Sequence, residues 1–144
     1  MKPLIFVAIL IVAVLLAGCT TAAPLTGTTP ATSTTDLTGN WTGSMTGYNE
    51  DSGYISFPAG SMKMTISNQT GRVFSGTRVF VENNGPEKTV PFAGVIGRDG
   101  KTLTLTNGGG GYDTGSILSD NELELVYAYD GKPFIITIDS LKRV

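Results

Sequence analysis

The chain has 144 residues, and its 10 Lys and Arg stand against 12 Asp and Glu for a net charge of −2, so it has room for one modest domain and no cationic excess to hold nucleic acid. It contains no histidine and one cysteine. Those absences exclude a Ser-His-Asp triad, a His-bearing zinc site, imidazole acid-base chemistry and an internal disulfide, and no cofactor or metal site is expected.

In chain order, the first element is an export signal. Lys2 supplies a positive start, Leu4 to Leu16 form a charge-free apolar run, and Ala17-Gly18 place small residues at a cleavage edge. The run is shorter than the roughly 20 residues that a spanning helix needs, so residues 1–18 read as a signal peptide rather than a permanent anchor. The string Leu15-Leu16-Ala17-Gly18-Cys19 resembles the lipobox of prokaryotic lipoprotein precursors, archaeal ones among them. That resemblance implies cleavage before Cys19 and transfer of a diacylglyceryl group to its sulfur. The membrane would then be a partner through lipidated Cys19, with the protein on the extracytoplasmic face of the cell membrane. Each buried methylene contributes about 0.8 kcal/mol, so two acyl chains hold where one is marginal.

Residues 19–36 are rich in Thr, Ala, Pro and Ser, with Leu25 the only sizeable apolar side chain. Such a segment buries too little surface to offset its ordering entropy and reads as a disordered tether, extended at Pro24 and Pro30, whose threonines offer O-glycosylation sites.

Residues 37–144 form the folded domain, where apolar residues recur with period 2 and breaks fall at Gly, Asn, Asp and Pro. The pattern predicts a strand near Gly39 to Gly47 and a second near Ser61 to Ser67, turned by Asn68-Gln69-Thr70-Gly71. A third spans about Arg72 to Glu82, broken by Asn83-Asn84-Gly85-Pro86, and a fourth about Lys88 to Gly97. Asp99-Gly100 joins it by a hairpin to Lys101 to Asn107. Gly108 to Gly111 reads as a flexible connection to Tyr112 to Leu118. Ser119-Asp120-Asn121 leads to Glu122 to Tyr129, and Asp130-Gly131 makes the last hairpin into Pro133 to Arg143.

Eight short strands joined in sequence by tight turns point to an all-β fold, an eight-stranded antiparallel up-and-down barrel, because closure removes both sheet edges. A Greek-key β-sandwich is the alternative. Gly39-Asn40-Trp41 is similar to the Gly-x-Trp signature of the lipocalin and avidin-like barrels, the calycins. The resemblance implies that Trp41 closes one end of the barrel and that a basic residue of the last strand, from the pair Lys142 and Arg143, packs over its ring.

Carboxylate pairs are the enzymatic chemistry left open, as in a glycoside hydrolase. Glu122 and Glu124 share a strand face opposite Leu123, Leu125, Tyr127 and Tyr129, so the glutamates are expected in solvent and the chain is expected not to be an enzyme. Asn49-Glu50-Asp51-Ser52 is oxygen-rich but lacks the spaced acids of a calcium loop. Asn40 and Asn68 fit the N-glycosylation acceptor pattern. The inward set is expected to include Trp41, Met62, Met64, Ile66, Phe74, Phe80, Phe92, Ile96, Leu103, Leu105, Leu123, Leu125, Phe134, Ile136 and Ile138. So many large groups predict a solid closed end and a shallow pocket edged by Tyr112, Tyr127 and Tyr129. Two readings follow: a surface lipoprotein displaying its barrel for structural or protein-interaction roles, and a binding module for a small apolar ligand in the barrel mouth.

Overall fold

A computed structural model describes residues 34–81 and 86–144, apart from the side chain of Val81. The signal peptide, Cys19, the linker up to residue 33 and the Asn83 to Gly85 turn lie outside the described residues. Eight strands follow one another: β1 Gly39–Asn49, β2 Gly53–Thr70, β3 Val73–Val81, β4 Glu87–Ile96, β5 Thr102–Asn107, β6 Tyr112–Ser119, β7 Glu122–Tyr129 and β8 Ile135–Arg143. Each pairs antiparallel with its sequence neighbours, and β8 returns to β1 from Trp41↔Arg143 to Asn49↔Ile135. The fold is a closed barrel, and the sandwich alternative falls away.

The first hairpin is longer than the sequence pattern suggests. β2 begins at Gly53, and its Tyr54 to Phe57 pair with Met45 to Tyr48, a short stretch followed directly by Pro58, Ala59 and Gly60. A bulge between Phe57 and Met62 lets both Ile55/Phe57 and Met62/Met64/Ile66 face inward although their numbers differ in parity. Asn68 to Thr70 continue β2 rather than turning it; the turn is Gly71-Arg72, where Gly71 takes φ +57°. The last connection is also longer than a two-residue hairpin, because Tyr129 pairs with Ile135 across five residues that include a cis Lys132-Pro133 bond.

Strand β8 corrects the expected inward set. Phe134, Ile136 and Ile138 are 44–49 % exposed, whereas Ile135, Thr137, Asp139 and Leu141 point inward. Hydrophobicity alone misreads the strand because Phe134, Ile135 and Ile136 are consecutive, so either parity offers apolar side chains. The parity that wins puts Leu141 into the core and gives Thr137 and Asp139 polar partners inside.

The core is lopsided. Leu37, Trp41, Met62, Met64, Ile66, Phe74, Ile96, Leu103, Leu105, Leu123, Leu125 and Leu141 are almost fully buried and form one apolar cluster. Inward glycines let the strands coil tightly around it: a Cβ on Gly76 would stand 1.8 Å from the Thr65 carbonyl oxygen.

Candidate ligand cavity at the barrel mouth

One end of the barrel is plugged. Trp41 is 1 % exposed, its indole N–H donates to the Leu37 carbonyl at 3.0 Å, and the Arg143 guanidinium carbon lies 4.3 Å from the ring centroid. Arg143 also donates to the carbonyls of Thr38, Asp36 (2.8 Å) and Asp120 (3.0 Å), so the last strand ties down the segment that enters the first. A cation on an indole face adds on the order of 0.5–2 kcal/mol. Of the two basic residues named for this role, Arg143 occupies it. Lys142 alternates to the outer face, where it meets Glu122 at 3.2 Å as an exposed pair worth little.

At the opposite end the inward side chains leave a cavity of about 330 Å³. Its walls are apolar, from Met45, Ile55, Phe57, Phe80 and Ile135. Its deeper wall is polar and belongs to residues that sequence reasoning missed: Arg78, Asn107, Thr137 and Asp139, with Asp113 behind them.

These groups form a network around one carboxylate. Arg78 Nη2 donates to Asp113 Oδ1 at 2.9 Å, with the two side chains 4 % and 0 % exposed. Asn107 Nδ2 donates to Asp113 Oδ2 at 2.7 Å. Since an ionised carboxylate only accepts, that bond fixes the amide orientation and turns Asn107 Oδ1 away from Asp113. Among the described residues Oδ1 then has no partner, and neither has Arg78 Nε–H, although both atoms are buried. Thr137 donates its hydroxyl to Asp139 Oδ1 at 2.9 Å. Burial pushes the Asp139 carboxyl up to about 6, against the opposing pull of Arg78 and Thr137, with Asp113 adding to the rise.

Glycines shape the rim. Tyr127 donates its hydroxyl to the Gly110 carbonyl at 3.1 Å, and its ring lies 5.8 Å from the Arg78 guanidinium. A Cβ on Gly111, whose φ is +80°, would meet that ring at 2.5 Å, and one on Gly131 would meet Tyr129 at 2.3 Å. The Gly108 to Gly111 connection is therefore a packing surface for aromatic rings. It is closed by bonds from Gly108 N to Pro91 O (2.8 Å) and from Gly110 N to Asn107 O (3.0 Å). Lys88 and Lys132 also line the cavity.

Of the three tyrosines expected at the pocket edge, Tyr127 and Tyr129 line it and Tyr112 does not. Tyr112 is 66 % exposed on the outer face, because Asp113 takes the inward position of β6 to meet Arg78. Glu122 and Glu124 point outward, and Glu124 is exposed. Asn49 spends its amide oxygen on the backbone N–H groups of Asp51 (2.9 Å) and Ser52 (3.2 Å), so this loop is a side-chain-capped turn. Asn40 and Asn68 are both exposed, Asn40 accepting from the Thr65 hydroxyl at 2.9 Å.

The buried polar groups left a signal in strand parity. Arg78 lies two residues before Phe80 and four after Phe74, Asn107 two after Leu105, Asp113 four before Ile117, and Asp139 two before Leu141. Each sits in register with a core residue of its own strand.

Fold and cavity define the class: a closed eight-stranded antiparallel barrel, solid at one end and hollow at the other. Among solved structures it is similar to a redesigned beta barrel, with a TM-score of 0.55 and 15 % identity over 75 % of this chain and 91 % of that one. It is equally similar to EF1p2_mFAP2b bound to DFHBI, with a TM-score of 0.55 and 16 % identity over 75 % of this chain and 94 % of that one. No protein-family model matches the chain, and no curated protein is similar to it.

Proposed function

We propose that this protein is a lipid-anchored, extracytoplasmic binding module that takes a small amphipathic molecule into the mouth of its barrel. The observation that carries the reading is the cavity of about 330 Å³, whose apolar walls lead to a polar end formed by Arg78, Asn107, Thr137 and Asp139. A volume above about 300 Å³ falls in the range of small-molecule sites, and a few placed polar groups in an apolar cleft are their usual composition. The barrel of EF1p2_mFAP2b, of similar fold, is bound to DFHBI, which supports the capacity of this architecture to hold a small ligand. The anchor rests on the signal-like residues 1–18 and the lipobox-like string ending at Cys19.

A second reading, display of the barrel for protein contacts, has its own observation. Tyr48, Phe134, Ile136 and Ile138 are exposed together on the outer face of β1 and β8, with Tyr48 stacked on Phe134 at 6.0 Å.

Intact mass of the protein extracted from its own membrane tests both parts. Under denaturing conditions the mass should lack residues 1–18 and exceed the remaining polypeptide by a diacylglyceryl group; an N-terminus at Met1, or a free Cys19 thiol, removes the anchor. Under native conditions a small molecule should copurify and be lost on denaturation. Its absence, together with no uptake of apolar dyes, leaves the protein-contact reading.

A further inference from the structure

Given the binding role proposed for the mouth, we infer that the cavity takes up an apolar ligand together with a proton on Asp139, so that acid tightens binding and neutrality loosens it. The inference starts from where the carboxyl lies. Asp139 belongs to the wall of the cavity, is 1 % exposed, and accepts its hydrogen bond from Thr137, a neutral hydroxyl at 2.9 Å. The guanidinium of the network is engaged elsewhere, because Arg78 Nη2 is bonded to Asp113 Oδ1 at 2.9 Å. One arginine thus serves two buried carboxyls. A buried carboxyl without a cation of its own favours its protonated form.

Every wall of the cavity bears on that balance. The neighbouring strands place Met45 of β1 and Leu125 of β7 in register with Asp139, and neither carries charge. Tyr127 and Tyr129 of β7, Ile55 and Phe57 of β2 and Asn107 of β5 are further neutral groups. The cations are Arg78 of β3, Lys88 of β4 and Lys132 of the last connection, and Asp113 of β6 stands behind Arg78. Burial is the largest influence and holds the Asp139 carboxyl at about 6, against the pull of Arg78 and Thr137 and with Asp113 adding to the rise.

A polar-walled space of about 330 Å³ is roomy enough for water, and an apolar molecule that fills it displaces that water. The carboxylate then loses solvation that an apolar surface does not return, whereas the protonated carboxyl loses little. Displacing water also strengthens the pull of the three cations, but burial already exceeds attraction in the free protein, and the ligand adds to the larger of the two. The complex therefore keeps its proton to higher pH than the free protein. Binding is at full strength below about pH 6 and weakens as pH rises through the higher midpoint of the complex. Where filling the cavity strengthens proton binding about tenfold, the affinity for ligand falls about tenfold between pH 5 and pH 8.

The probe is 1-naphthalenemethanol, which is uncharged throughout this range, so the fields of Lys88 and Lys132 do not select it at one pH over another. Calorimetric titration of the protein should give a Kd about tenfold higher at pH 8 than at pH 5. Asp139→Asn should show one affinity at both pH values. If that variant does not fold, the 13C resonance of the Asp139 carboxyl decides in the natural protein: the midpoint of its pH titration should rise when the probe saturates the site. A Kd that does not change with pH, a Kd lower at pH 8, a pH dependence that survives in Asp139→Asn, or a carboxyl midpoint that stays or falls overturns the proton coupling and leaves the mouth as a binding site. No binding at either pH overturns both.

Discussion

Replacing Asp139 by Asn isolates the cost of keeping a carboxyl inside the barrel. Asp139 is 1 % exposed, and its pKa rises from 3.8 to about 6 because burial outweighs Arg78 and Thr137. Between those two values the folded chain holds a proton that the unfolded chain has released. The contribution of this group is therefore full below about pH 4 and is lost as pH rises through about 6. At 1.36 kcal/mol per pH unit of displacement, the loss is on the order of 3 kcal/mol. Asparagine keeps the oxygen that accepts from Thr137 at 2.9 Å and carries no charge. The variant should match the natural protein near pH 4 and exceed it by up to about 3 kcal/mol at pH 7 to 8. Urea unfolding of the two proteins side by side, in steps from pH 4 to pH 8, reads that difference with every other titration common to both. A gap that does not change with pH, or one that opens in favour of the natural protein above pH 6, refutes the reasoning.

Three further perturbations are quantitative. Trp41→Ala should cost roughly 3–5 kcal/mol in chemical denaturation as a core truncation, and a loss below about 1 kcal/mol would contradict its burial. Arg78→Met removes the cation paired with the buried Asp113 carboxyl and should destabilise by roughly 3–5 kcal/mol. Adding Asp113→Asn to that variant should recover most of the loss in a double-mutant cycle, while strict additivity would deny the coupling. Gly76→Ala places a methyl group 1.8 Å from the Thr65 carbonyl oxygen and should cost about 1–3 kcal/mol in the same assay; a neutral effect would mean that β2 and β3 separate easily there.

Much of the barrel was legible because period-2 patterning and turn chemistry agree along β3 to β7, and β7 was placed residue for residue. The pattern lost hold where neighbouring residues were all apolar or all small. At Phe134 to Ile136 it could not choose a face, and at Tyr54 to Gly60 it saw no strand. The site was less legible for a related reason. Apolar patterning marks only apolar inward positions, so it does not mark Arg78, Asn107, Asp113 and Asp139, although each keeps step with the core residues of its strand. Their burial depends on partners from β3, β5, β6 and β8, which no single strand reveals. Tyr127 and Tyr129 are legible because they continue the alternation of Leu123 and Leu125.

The bonds from Arg143 to Thr38 and Asp36, with that of Gln69 to the Thr35 carbonyl at 2.8 Å, fix where the N-terminal segment leaves the barrel. It departs at the plugged end. A pull on that segment therefore acts at the base of the barrel, as on the stem of a cup. The rim stays at the far side, so under the proposed binding role a ligand enters and leaves without meeting the segment from Thr35 to Thr38, which is held against the base.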